Sequence, residues 1–114
     1  MNFPASATPL LPFKPTEPRE YGSIRLFDST SVPPSLPFSY SRFTVNPGQI
    51  SRKDQHEVLE VWVILSGNGR LIYDGGEYAV KTGDAVQFET LRVHQIVNES
   101  SEDLTVFSFW WKRE

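Results

Sequence analysis

Cysteine is absent from this 114-residue chain. That excludes a disulfide framework and any thiolate chemistry, catalytic or metal-binding. An excess of positive charge is missing too. The net charge is −3, which leaves no basic footprint for nucleic acid. Long hydrophobic runs are lacking. The longest unbroken apolar stretch is Val61–Leu65, far short of the roughly 20 residues that cross a bilayer. Proline is missing from the second half, since all nine lie at or before Pro47. Five of them (Pro4, Pro9, Pro12, Pro15, Pro18) punctuate the first twenty residues, where a basic n-region is also absent. We therefore expect no secretion signal there. A helical period over ten residues is nowhere evident. Without cysteine, a secretion signal or a membrane span, a cytoplasmic protein is expected.

What is present reads as one globular domain. Hydrophobic residues make up 39% and charged residues 22%, and the length suits one core but not two. The proline-rich segment, residues 1–20, is expected to form an extended arm, loose or laid across a neighbouring subunit, because proline lacks a backbone donor and has a fixed φ. Residues 21–114 form the domain proper. Within it SVPPSLP (31–37) reads as a loop. The rest reads as short strands parted by turns: 22–28, 38–46, 58–66, 69–73, 77–81, 85–89, 93–98 and 104–112. Asp74-Gly75-Gly76 is a hairpin signal. Many short strands at short spacing predict an all-β sandwich or barrel.

One stretch is unusual. DQHEVLEVWVILSG, residues 54–67, sets a histidine between carboxylates and runs directly into a hydrophobic strand. Alternate residues of a strand share a face, so an extended Asp54 and His56 point the same way. Glu60 shares a face with Trp62 and Ile64. A carboxylate on a buried face needs a partner, and a divalent cation would be one. Asp, His and Glu are ligands for first-row metals, and the only other histidine, His94, lies in the strand VHQIVN. The plain alternatives are a solvated Asp54 and core histidines satisfied by hydrogen bonds. Tyr40, Arg42 and Gln87 are polar groups on strands whose parity is open. If they face a cavity, they would hold a polar substrate, Arg42 through a carboxylate or phosphate. Trp62, on the face of Glu60, would line the same cavity. In the last strand either Phe107, Phe109 and Trp111 or Val106, Ser108 and Trp110 face outward. An outward aromatic row would need covering, by a docked arm or by a second copy.

The spacing Gly48-x5-Asp54-x-His56-x3-Glu60-x6-Gly67 resembles the first motif of the cupin superfamily, with Asp54 where the family usually has its first His. Gly83-x5-Glu89-x-Leu91-x2-His94-x3-Asn98 resembles the second, with Glu89 in place of Pro and Leu91 in place of Gly. The resemblance spans residues 40 to 112. It implies a double-stranded β-helix (jelly-roll) barrel with a divalent metal inside, Fe(II), Mn(II), Zn(II) or Ni(II), and often a homodimer. Residue by residue, His56, Glu60 and His94 match metal ligands, and Asp54 stands at the position of the fourth. Should Asp54 stay off the metal, the remaining two-His, one-carboxylate face is the pattern of non-haem Fe(II) oxygenases, and Asp54 becomes a candidate general base. Similar barrels host many reactions, so the fold does not settle function. The leading expectation is a metal-dependent enzyme on a small polar metabolite, of isomerase, cyclase, lyase or Fe(II) dioxygenase type. The alternative is a non-catalytic small-molecule binding or sensing module.

Overall fold

The structure is a computed structural model that describes residues 9–31 and 36–112. The first eight residues of the expected arm, and 32–35 of the expected loop, lie outside the described residues. Nine strands follow one another in the chain: β1 (Glu17–Arg19), β2 (Gly22–Leu26), β3 (Ser39–Val45), β4 (Leu59–Ser66), β5 (Asn68–Tyr73), β6 (Gly76–Lys81), β7 (Ala85–Phe88), β8 (His94–Val97) and β9 (Leu104–Trp111). No helix is present among the described residues. The strands form a six-stranded sheet, β1-β2-β3-β9-β4-β7, and a three-stranded sheet, β6-β5-β8, with antiparallel pairing throughout. This is the expected jelly-roll. Its two sheets face each other without closing.

Local chemistry explains the chain reversals. The β5–β6 hairpin turns on Asp74 and Gly75, both at positive φ (48° and 85°), the backbone of a type I′ turn for which Asp-Gly is suited. The reversal before it is sharper. Gly67 alone separates β4 in one sheet from β5 in the other. Its φ is +96°, and a Cβ there would meet the Asp103 carbonyl oxygen at 2.6 Å. A bulge between Ile64 and Ser66 bends β4 just before this corner.

Alternation sorts the side chains. On β4, Glu60, Trp62 and Ile64 are buried, as their shared face predicts. On β9, Leu104, Val106 and Ser108 face in, so the outward set is Phe107, Phe109 and Trp111. The core comprises Phe43, Val45, Trp62, Leu71, Phe88, Ile96 and their neighbours.

From Pro12 onward the arm is neither loose nor carried away from its own chain. β1 adds an edge strand to the sheet, and Lys14 N–H donates to Leu26 O at 2.8 Å. Phe13 bridges to Phe27 and packs edge-on against Tyr40, ring centroids 5.1 Å apart. The Tyr40 hydroxyl donates to Pro12 O. The arm therefore covers part of the outer aromatic face.

Candidate metal centre and cavity

Four segments converge on one end of the barrel. Glu60 comes from β4, Ser108 from β9 and His94 from β8. Asp54 and His56 come from the extended segment that precedes β4. That segment is laced to β8: Ser51 N–H donates to Ile96 O at 2.9 Å, and Asp54 and His94 exchange both backbone bonds at 3.0 Å. An exchanged pair lies directly opposite across two strands, so both side chains share a face. The result is that donor atoms of Asp54, His56 and His94 all lie within 4.8 Å of one another. His56 remains partly exposed and its Nε2 sits 3.6 Å from Asp54 Oδ1. Asp54 Oδ1 also accepts from Arg52 Nε at 2.9 Å.

Glu60 lies deeper, 7% exposed, and His94 is 2% exposed. Glu60 Oε2 accepts two hydrogen bonds, from Trp62 Nε1 at 2.9 Å and Ser108 Oγ at 2.5 Å. Glu60 Oε1 faces His94 Nε2 at 2.9 Å, but the two atoms are not aligned as a hydrogen bond and neither has another partner. His94 Nδ1 lies 3.0 Å from Arg92 O. A carbonyl oxygen only accepts, so Nδ1 carries the proton. The imidazole is clamped as well: it stacks on Phe88 at 4.1 Å and meets the Trp62 ring edge-on at 5.3 Å.

Burial pushes the Glu60 carboxyl up, but contacts with His94, Ser108 and Trp62 outweigh it and hold the group below its ordinary value. Burial likewise pushes His94 down, and the Glu60 carboxylate with the Arg92 carbonyl outweighs that and raises it.

A buried carboxylate oxygen and a buried imidazole nitrogen 2.9 Å apart need a cation to hold them together, either a proton on His94 or a metal ion. A divalent cation fits: two imidazoles and two carboxylates are available, a donor set suited to first-row metals. Asp54, His56 and His94 stand close enough together to share one ion, whereas Glu60 meets this group only through His94, 2.9 Å away.

Asp54, His56 and Glu60 open onto a cavity of about 560 Å³, and His94 lies behind its wall. Trp62 lines it, as its shared face with Glu60 predicts. Tyr40, Arg42 and Gln87 do not, which corrects the expectation that they hold a substrate. Ser41, Phe43 and Val45 take the inward positions of β3, so Tyr40 and Arg42 point out. Tyr40 is covered by the arm, and the Arg42 guanidinium lies 5.1 Å from the Phe13 ring centroid. Gln87 pairs with Val61 on the outer face, because Phe88 points in. The cavity wall instead includes Tyr21, Ser41, Ser108 and Trp110, none singled out as a site residue from the sequence. For Ser108 the signal was present: it alternates with the aromatic set on β9.

The loop 89–93 departs from the motif in residue type but keeps a glycine-like backbone. Leu91 has φ +61° and is 56% exposed. Its N–H donates to His56 O at 2.6 Å, and Gln55 Nε2 donates to Leu91 O at 2.8 Å. Asn98 holds the following turn, donating to Val45 O and Glu102 O and accepting from Ser100.

Solved structures share this architecture. The plu4264 protein of Photorhabdus luminescens superposes with a TM-score of 0.78 at 18% identity, over 99% of this chain and 90% of that one. A Cupin 2 conserved barrel domain protein of Salinispora arenicola reaches 0.66 at 29% identity, over 76% of each chain. A Thermotoga maritima protein called a predicted oxalate decarboxylase reaches 0.72 at 18%, over 90% of this chain and 94% of that one. The family model for the Cupin domain matches residues 41–110, more than half of the sequence, and the chain belongs to the cupin superfamily.

Proposed function

We propose that this cupin binds a divalent first-row metal through His56, Glu60, His94 and Asp54, and acts as a metal-dependent enzyme on a small metabolite. The observation that carries the reading is the buried, unaligned pair of Glu60 Oε1 and His94 Nε2 at 2.9 Å. When bound, the metal supplies Lewis acidity or an oxygen-binding centre. The chain's own residues do the rest. Trp62 and Ser108 fix the Glu60 carboxylate, the Arg92 carbonyl fixes the His94 tautomer, and the cavity shelters the substrate. Proton-transfer chemistry and Fe(II) dioxygenation are the two reaction types this arrangement supports.

Elemental analysis of protein purified without added metal tests the reading. The expected result is a stoichiometric first-row metal that disappears in His56→Ala and His94→Ala. A folded protein that refuses Fe, Mn, Ni and Zn would overturn it. Asp54→Ala separates the two roles of that residue: metal lost marks a ligand, metal kept with turnover lost marks a base.

One observation favours the alternative, a non-catalytic binding or sensing module. Arg52 already engages Asp54 at 2.9 Å, which weakens Asp54 as a base. Tight metal binding without turnover across a broad metabolite panel would decide for that alternative. A homodimer belongs to the same proposal. Phe107, Phe109 and Trp111 stay partly exposed beside the arm, and a second copy is the cover we assign them. Sedimentation equilibrium should give a dimer that Phe109→Arg dissociates; a wild-type monomer would end that assignment.

A further inference from the structure

The cavity wall is divided by chemistry. Near the mouth stand Arg52, Asp54 and His56. Beyond them the wall is largely apolar: Ile24, Leu26, Phe43, Val58, Trp62 and Trp110. The polar groups that interrupt it are mostly engaged already. Trp62 Nε1 and Ser108 Oγ both donate to Glu60, and Ser51 Oγ accepts from Ile96 N–H at 2.9 Å. Ser41 and the Tyr21 hydroxyl are the exceptions on this wall. A sugar or sugar phosphate laid here would leave several hydroxyls facing hydrocarbon without partners, and each such loss lowers affinity. An apolar body would instead gain from every surface it covers. The volume, about 560 Å³, also exceeds what acetate or oxalate fills.

The mouth selects the other end of the ligand. Arg52 offers only Nε to Asp54, so its two Nη groups have no partner among the described residues. A guanidinium fork of this kind suits a carboxylate. Three carboxylates line the cavity, and their arrangement leaves the outer end to Arg52. Asp54 is held by Arg52, Glu60 is held by Trp62 and Ser108, and Glu57 is exposed to water at the rim.

We propose that the cavity takes a small monocarboxylic acid with an aromatic or aliphatic body. The carboxylate sits on Arg52 beside the metal-ligating residues, and the body lies against Leu26, Phe43, Trp62 and Trp110. This deepens the functional reading of the same cavity and rests on it. It also narrows the expected small polar metabolite to one that is polar at a single end.

Calorimetric titration of metal-free and Mn(II)-treated protein tests it with four probes: phenylacetate, acetate, phenylacetamide and glucose 6-phosphate. Phenylacetate is expected to bind at least 10-fold more tightly than each of the others. Arg52→Gln should abolish the preference for acid over amide and keep the preference for phenyl over methyl. Arg52 is a surface side chain, and a thermal melt checks that the variant stays folded. Glucose 6-phosphate or acetate binding as well as phenylacetate overturns the proposal. So does an acid-over-amide preference that survives Arg52→Gln, or no binding of phenylacetate at all. The metal reading fails separately: protein that binds phenylacetate in this pattern but takes up no Mn(II) leaves the present proposal standing. Protein that takes up Mn(II) yet prefers glucose 6-phosphate sinks this proposal alone.

Discussion

Glu60 is a buried carboxylate whose two oxygens have different fates. Oε2 accepts from Trp62 and Ser108, and Oε1 faces His94. Removing one donor leaves the other to hold the charge. Ser108→Ala should therefore cost about 2 kcal/mol, the range for a hydrogen bond to a buried charge. Urea unfolding of the metal-free protein measures it, and metal affinity should fall with it because Glu60 is free to rotate. A cost below about 0.5 kcal/mol would mean that Trp62 suffices. Leu91 is the opposite case, a residue in the wrong backbone for its type. At φ +61° a leucine is strained by about 1–2 kcal/mol, and its side chain is exposed, so little packing is lost on removing it. Leu91→Gly should stabilise by up to about 1 kcal/mol after the extra chain entropy of glycine is counted. Leu91→Val should destabilise, since a β-branched residue tolerates this region least. If both variants melt with the wild type, strain at Leu91 is not a factor.

Strands decide which of these residues meet. The inward positions of β3 and β9 are set by Phe43, Val45, Leu104 and Val106, and that parity turns Tyr40 and Arg42 outward. The outer face then needs a cover, and the arm provides part of it. Phe13 packs on Tyr40 and lies under two guanidiniums, Arg25 at 5.4 Å and Arg42 at 5.1 Å. Arg25 and Arg42 stand directly opposite each other on β2 and β3, a like-charge pair that repels. The Phe13 ring face gives both cations an attractive surface. Phe13→Ala should lower stability by about 1–2 kcal/mol, through lost ring packing and cation–π contact. Metal affinity should not change, because the arm and the metal centre lie on opposite faces of the sheet. Parallel thermal melts and metal titrations check both halves, and a loss of metal binding would show that the arm supports the site.

Across the whole molecule, acid and base act on the Glu60–His94 pair in opposite senses. Glu60 is held below its ordinary value of 4.5, so its contribution is full above that value and is lost as pH falls through the depressed one. His94 is raised above 6.5, so its contribution is full below 6.5 and is lost as pH rises through the raised value. The metal-free protein should be most stable between those limits, weakening on both sides. Bound metal should reverse the basic limb, because it replaces the His94 proton. Urea midpoints from pH 3 to 9, with and without Zn(II), measure this. A metal-free protein whose stability is flat from pH 6 to 9 would exclude a coupled pair. Metal that saturates the site 100-fold above its Kd should add about 2.7 kcal/mol.

Eight of the nine strands were legible in the sequence, because alternation and turn residues act over a few neighbours. The approach of Asp54, His56 and His94 was legible too, since motif spacing survives in one dimension. β1 escaped notice because its three residues hold little pattern and include a proline. Strand parity alone excluded nothing about Tyr40, Arg42 or Gln87, since an alternating strand has two faces and only the packed partner says which one is inside. The engagement of Glu60 by Ser108, 48 residues away, required the register of β4 against β9. The same holds for the cavity. Local order and the candidate ligands are properties of short stretches of chain, but the apolar wall beside Arg52 exists only once β2, β3, β4 and β9 lie side by side.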